Sequence, residues 1–195
     1  LVMQAVGAVK LFTGEDIGEI KAERAYLSVL NEKRNIVLIG MPSSGKTTVA
    51  KSLAKILDRD FIDTDDLIVE NAGKSITDIF SSEGEAYFRN LESEVIKDIS
   101  LQTGCVIATG GGAVLREKNV DFLKANGVLI FLDRKLNELL PTPDRPLATS
   151  EEAVKKLYHE RLPVYSSACD RKVVPSGSSE NTAKLIINLI SGGEI

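Results

Sequence analysis

Residues 40–47, Gly-Met-Pro-Ser-Ser-Gly-Lys-Thr, leave this chain little architectural freedom. They fit G-x-x-x-x-G-K-[ST] at every fixed position, directly after the run Ile36-Val37-Leu38-Ile39 and directly before a helical pattern that begins at Lys46. A strand that turns through glycines into a helix points successive backbone N–H groups inward. The helix N-terminus adds partial positive charge, and the result is a cradle for phosphate. Ser43, Ser44, Gly45, Lys46, Thr47 and Thr48 are the expected nucleotide-binding residues, with Lys46 reaching the β and γ phosphates and the Thr47 hydroxyl set to ligate Mg²⁺. A chance Gly-Ser turn would not bring both flanks with it. The loop by itself does not choose among an ATPase, a GTPase and a kinase. An N-K-x-D guanine-reading signature is missing, and Val106-Ile107-Ala108 leads into Thr109 and glycines instead of an acidic metal ligand, which disfavours a GTPase.

From Asn35 onward short β-branched runs alternate with helical stretches, the pattern of βαβ units around a parallel sheet. Strands are predicted at 36–39, 60–63, 106–108, 128–132 and 172–174, and helices beginning at Lys46, Ser75, Glu83, Val120, Glu151 and Asn181. Residues 141–146 read as a loop and 176–179 as a short flexible turn. Residues 1–34 differ: their charges gather in 15–34, no strand-like run occurs, and two helices fit, one ending near Thr13-Gly14 and one through 20–30. The division expected is a helical extension at 1–34 and an α/β domain at 35–195. With 195 residues there is room for one domain and an appendage.

A formal charge of −4 argues against a basic footprint for nucleic acid and leaves small anions as the expected partners. The two cysteines, Cys105 and Cys169, lack metal-ligand spacing, which fits a reducing cytoplasm. No apolar run approaches the roughly 20 residues that span a bilayer, so no membrane partner is expected.

Asp63-Thr64-Asp65-Asp66 closes the second predicted strand, and strand alternation would turn Asp63 and Asp65 toward one cleft. Ligands of open parallel sheets bind beyond the carboxyl ends of the strands, where the phosphate loop also sits. One carboxylate is then placed to serve the metal through water and the other to deprotonate an acceptor hydroxyl. The same cluster also suits a plain helix cap for 67–70. Gly110-Gly111-Gly112 follows the third strand, open to close backbone approach by a ligand or to a tight turn.

With these residues in place, 35–195 resembles shikimate kinase. The likeness rests on the phosphate loop, Asp63-Thr64-Asp65, Gly84-Glu85 with Phe88-Arg89 and Glu92, the triple glycine, Arg145-Pro146-Leu147, and Arg161-Leu162-Pro163-Val164-Tyr165. It implies a P-loop kinase fold of five parallel strands flanked by helices, with a mobile lid. It also implies Mg²⁺, ATP as co-substrate, and phosphorylation of the 3-hydroxyl of shikimate in the shikimate pathway of aromatic amino acid and chorismate biosynthesis. By the resemblance Asp65 is the base, Asp63 the water-mediated metal partner, and Gly110, Gly111 and Gly112 the backbone contact. Arg89 and Arg161 grip the substrate carboxylate, Glu92 holds Arg89, and Arg145, in the lid, neutralises the γ-phosphate and contacts ATP. Arg89 between Glu85 and Glu92, and Arg161 further on, also fit ordinary solvated helix residues. His159 reads as an ordinary helix residue. The segment from Asp133 to Arg145 is shorter than the family's, and Pro141-Thr142 stands where an arginine commonly flanks the adenine. A kinase for another hydroxylated acid such as gluconate, and a nucleotide-binding regulatory module, stay open as alternatives.

Leu1-Val2-Met3-Gln4-Ala5 with Leu11-Phe12-Thr13-Gly14 resembles the closing helix of shikimate dehydrogenase. That likeness, with Leu in place of an initial Met, implies a covalently fused or associated shikimate dehydrogenase domain. A generic amphipathic helix is the alternative.

Overall fold

The computed structural model describes residues 4, 8, 11–12, 21, 32–141 and 146–191. It divides into a unit at 1–34, whose described residues Gln4, Ala8, Leu11, Phe12, Lys21, Glu32 and Lys33 are helical, with Arg34 in a bend, and a unit at 35–195. The predicted helix stop at Thr13-Gly14 and nearly all of the second N-terminal helix lie outside the described residues.

In the second unit β1 (Asn35–Ile39) is buried at every position, as a central strand covered on both faces must be. Its side chains alternate: Val37 and Ile39 join one core, Ile36 and Leu38 the other. Around it β2 (Phe61–Asp63), β3 (Val106–Ala108), β4 (Gly127–Leu132) and β5 (Arg171–Val173) form one parallel sheet in the order β2-β3-β1-β4-β5. The layers follow from that alternation. Helix α1 (Lys46–Leu57) and the last helix, Ser179–Ile190, cover one face through Val49, Leu53, Ala183 and Ile186. The other face carries α2 (Thr64–Ala72), α3 (Ile76–Ser82), α4 (Glu85–Ile99), α5 (Glu117–Ala125) and α6 (Glu151–Ala168), with Ser179–Ile190 being α7. Full burial of a side chain such as Leu53 or Phe131 contributes about 1.5–3 kcal/mol.

Serine caps set three of the helix starts. Ser75, Ser150 and Ser178 accept from the backbone N–H of Asp78, Ala153 and Asn181. Three predicted starts shift: α7 begins two residues early because Ser178 is its cap, while α4 begins at Glu85 after Gly84 with φ 84° and α5 at Glu117, neither with a side-chain cap. The predicted turn at 176–179 is tied down as well, since Thr182 Oγ1 accepts from Ser176 N at 3.3 Å. No helix among the described residues is long and apolar enough to cross a membrane.

Register decides what the site contains. Asp63 pairs with Ala108 and Ala108 with Leu38, so β2, β3 and β1 end side by side. The loops that leave them share one edge of the sheet.

Candidate active site

At the end of β1, a Cβ on Gly40 would stand 2.9 Å from Leu132 O, and Gly40 has φ 145°. Both facts require glycine where the loop crosses the end of β4. Gly45, at φ 90°, is the N-cap of α1. Lys46 lies back across the loop and donates to Gly40 O at 3.0 Å and Met41 O at 2.8 Å. Ser44 is fully buried, and among the described residues its Oγ has no hydrogen-bond partner. Ser43 is exposed at φ 62°, and Thr47 and Thr48 stand in the first turn of α1. All six predicted loop residues are therefore together.

The acidic cluster corrects the sequence argument. The strand ends at Asp63, which caps α2 by accepting from Asp65 N at 3.0 Å, so Asp65 sits in the first turn of a helix. Strand alternation does not relate the two; an aspartate cap competed with the extended backbone and won. The helix-cap reading is correct for Asp63, and the site reading survives beside it. Asp63 Oδ2 accepts from Thr47 Oγ1 at 2.8 Å, which joins the cluster to the phosphate loop. Burial, ahead of every other influence, pushes the Asp63 carboxyl above its ordinary 3.8, with the Thr47 hydrogen bond pulling the other way.

The triple glycine is the hub. Gly110 N donates to Thr64 Oγ1 at 2.9 Å, which ties the turn to α2. A Cβ on Gly110 would stand 2.6 Å from Asp65 Oδ1 and 3.0 Å from Glu92 Oε1; one on Gly111 would stand 2.8 Å from Pro42 Cδ; one on Gly112 would overlap the Arg89 guanidinium. The phosphate loop, the catalytic-base candidate and the α4 arginine thus all close on one bare stretch of backbone. A side chain at any of the three would force those groups to shift.

Arg89 and Arg161 are 8% and 6% exposed, so the solvated-helix reading fails for both. Arg89 donates from Nη1 to Glu92 Oε2 at 2.8 Å and from Nη2 and Nε to Glu85 Oε1 at 3.1 and 3.2 Å. Burial raises the Glu92 carboxyl above 4.5 against the pull of Arg89, and among the described residues its Oε1 has no hydrogen-bond partner. Arg161 Nη1 donates to Gly111 O at 3.0 Å. His159 is exposed on α6, its ring edge-on to Tyr158. Arg145 lies outside the described residues, while Pro146, Leu147 and Ala148 beside it line the pocket.

The result is an open pocket of about 390 Å³. Asp65, Arg89, Glu92 and Arg161 supply its polar wall, and Ile76, Phe80 and Phe88 its apolar one. Two buried guanidiniums facing a carboxylate-lined turn suit a small, carboxylated, hydroxylated ring.

Three contributors were given no role in the sequence reading. Arg134 donates from Nε to Ser44 O at 3.1 Å, bracing the phosphate loop from the end of β4. Arg116 donates from Nη1 to Arg89 O and Asn90 Oδ1, both at 2.9 Å, and pins α4 to the segment after the glycines. Tyr165 donates to Gly111 O. Sequence patterns held a signal only for Tyr165, four residues after Arg161 and so on the same helix face.

A phosphate loop on the edge of a five-stranded parallel sheet, next to a pocket for a small acid, defines a P-loop small-molecule kinase. Comparison with known proteins gives the branch. The family described as shikimate kinase matches residues 42–191. A shikimate kinase of Clostridium botulinum (strain Eklund 17B / Type B) is 42% identical over 165 residues, covering 80% of this chain and 99% of that protein. The structure of shikimate kinase from Acinetobacter baumannii in complex with shikimate superposes with a TM-score of 0.80 at 31% identity, covering 86% of this chain and 98% of that one. That of shikimate kinase from Aquifex aeolicus gives 0.72 at 37% identity, covering 82% and 99%. The chain belongs to the shikimate kinase family.

Proposed function

We propose that this chain transfers the γ-phosphoryl group of ATP to the 3-hydroxyl of shikimate, giving ADP and shikimate 3-phosphate, as a cytoplasmic enzyme of aromatic amino acid biosynthesis. The observation that carries the reading is the convergence of Asp65, Glu92 and Arg89 on the glycine turn that also abuts Pro42 of the phosphate loop. Phosphate donor and acceptor then have adjoining berths. A gluconate kinase or a silent regulatory module leaves the two buried arginines over this turn without a purpose.

Lys46 leaves its two carbonyl acceptors for the β and γ phosphates, which demand its charge more strongly. Arg161 and Arg89 hold the substrate carboxylate, with the ring between Phe80, Phe88 and the glycines. That hold turns a bimolecular encounter into a positioned one. Asp65 accepts the proton of the acceptor hydroxyl as its oxygen attacks phosphorus; the bond from the γ-phosphorus to the bridging oxygen breaks, and ADP leaves with the electron pair. Arg145 is assigned to the lid, neutralising the γ-phosphate as water is excluded. A Mg²⁺ ion suits the Thr47 hydroxyl and Asp63 carboxylate, two oxygen donors 2.8 Å apart, and would supply charge neutralisation on the phosphates when bound. The N-terminal unit, outside the match at 42–191, is read as the end of a fused or associated shikimate dehydrogenase domain.

Coupled measurement of ADP release tests the proposal. Shikimate is expected to stimulate turnover and gluconate to leave it at background; stimulation by gluconate alone would replace the substrate, and by neither would remove the activity.

A further inference from the structure

One carbonyl oxygen in the site has two donors from the same helix. Gly111 O accepts from Arg161 Nη1 at 3.0 Å and from the Tyr165 hydroxyl at 2.5 Å. Tyr165 is 1% exposed, its ring stacked on Phe131 with centroids 5.1 Å apart, so the phenol is fixed and its O–H aimed at that oxygen. It lines no part of the pocket.

A carbonyl is satisfied by a single hydrogen bond, although it has room for two. A bidentate grip on a carboxylate takes two parallel N–H groups of a guanidinium in a set orientation. Were Arg161 the only donor to Gly111, it would either keep that bond and stay confined to the orientations it allows, or break it and orphan a buried carbonyl. The second course leaves a buried acceptor unsatisfied, a cost taken from substrate affinity. Tyr165 makes the arginine's bond dispensable.

We propose that Tyr165 is a positioning residue for the acceptor: it holds Gly111 O so that the Arg161 guanidinium can turn to the substrate carboxylate, and it thereby sets acceptor affinity without touching the acceptor. This rests on the reading of Arg161 as the carboxylate grip.

The test is a kinetic cycle on the full chain with Tyr165→Phe, Arg161→Gln and the double variant. Tyr165→Phe is expected to raise KM for shikimate about five- to tenfold, the loss of one buried hydrogen bond. Its KM for ATP and its kcat stay within about twofold of the parent. On the Arg161→Gln background the same change has no further effect on shikimate KM. A shikimate analogue without the carboxylate has the same KM with the parent and with Tyr165→Phe. Site-specific 3-fluorotyrosine at 165, which keeps the O–H, retains the parent KM. An unchanged KM in Tyr165→Phe, an equal rise with the analogue, or an equal rise on the Arg161→Gln background overturns the inference. Because KM is independent of the folded fraction, a poor yield does not blur these outcomes. If Arg161→Gln itself leaves shikimate KM unchanged, the carboxylate-grip reading has failed instead.

Discussion

The phosphate loop and the acceptor pocket lie against each other but are made differently. The loop is consecutive backbone, 40–47, held by its own carbonyls and by positive-φ residues. The pocket takes Asp65 from α2, Arg89 and Glu92 from α4, glycines from the end of β3 and Arg161 from α6. A single strand-turn-helix is enough for the first. The second exists only once the sheet has set β2, β3 and β1 in register and packed α4 and α6 over one face. Phosphate binding should therefore withstand changes that dismantle acceptor binding.

Asp65→Asn should break the comparison most sharply. It removes the proposed base while leaving the loop alone, so kcat should fall about 10²- to 10⁴-fold with ATP affinity retained, as read by steady-state kinetics and nucleotide titration.

Next comes the alkaline stability of the acceptor side. Burial pushes the Tyr165 phenol from 10.0 to about 12. The unfolded chain loses that proton first, so the stability tied to the buried neutral phenol is full below pH 10 and is lost as pH rises from 10.0 to about 12. Across that window the parent should lose about 2–3 kcal/mol more than Tyr165→Phe in denaturant melts.

Gly112→Ala places a methyl where the Arg89 guanidinium lies. It should raise shikimate KM about tenfold, in line with 1–3 kcal/mol of overpacking, and leave nucleotide titrations unchanged. The smallest expected effect belongs to the loop. Arg134→Gln removes the brace on Ser44 O and should raise KM for ATP about threefold without moving that for shikimate.

The same contrast explains what could be read without coordinates. Strand, loop and helix start at Lys46 were all legible, because the strand, the turn and the helix that make the loop follow one another in sequence. Asp63 and Asp65 belong to the site, yet the geometry expected for them was wrong: the Asp63 side chain bonded to the backbone two residues on and began a helix. Arg89 between two glutamates looks solvated along the chain, and its burial depends on Gly112 and the sheet. The role proposed for it and for Arg161 comes from family resemblance, since no periodicity in α4 or α6 announces a buried cation. Arg134 and Arg116 were invisible for the same reason. Their acceptors, Ser44 O and Arg89 O, are distant in sequence, and only the folded sheet brings them within reach.

The central claim is that a terminal phosphate and a shikimate hydroxyl meet at one sheet edge, over the glycine turn. Single-turnover transfer with γ-labelled ATP, shikimate and excess enzyme tests it most directly. The account predicts one equivalent of label on the 3-hydroxyl for each ADP formed, and little label released to water. Label appearing as inorganic phosphate at a rate that shikimate does not alter, or on another hydroxyl of the ring, would contradict it.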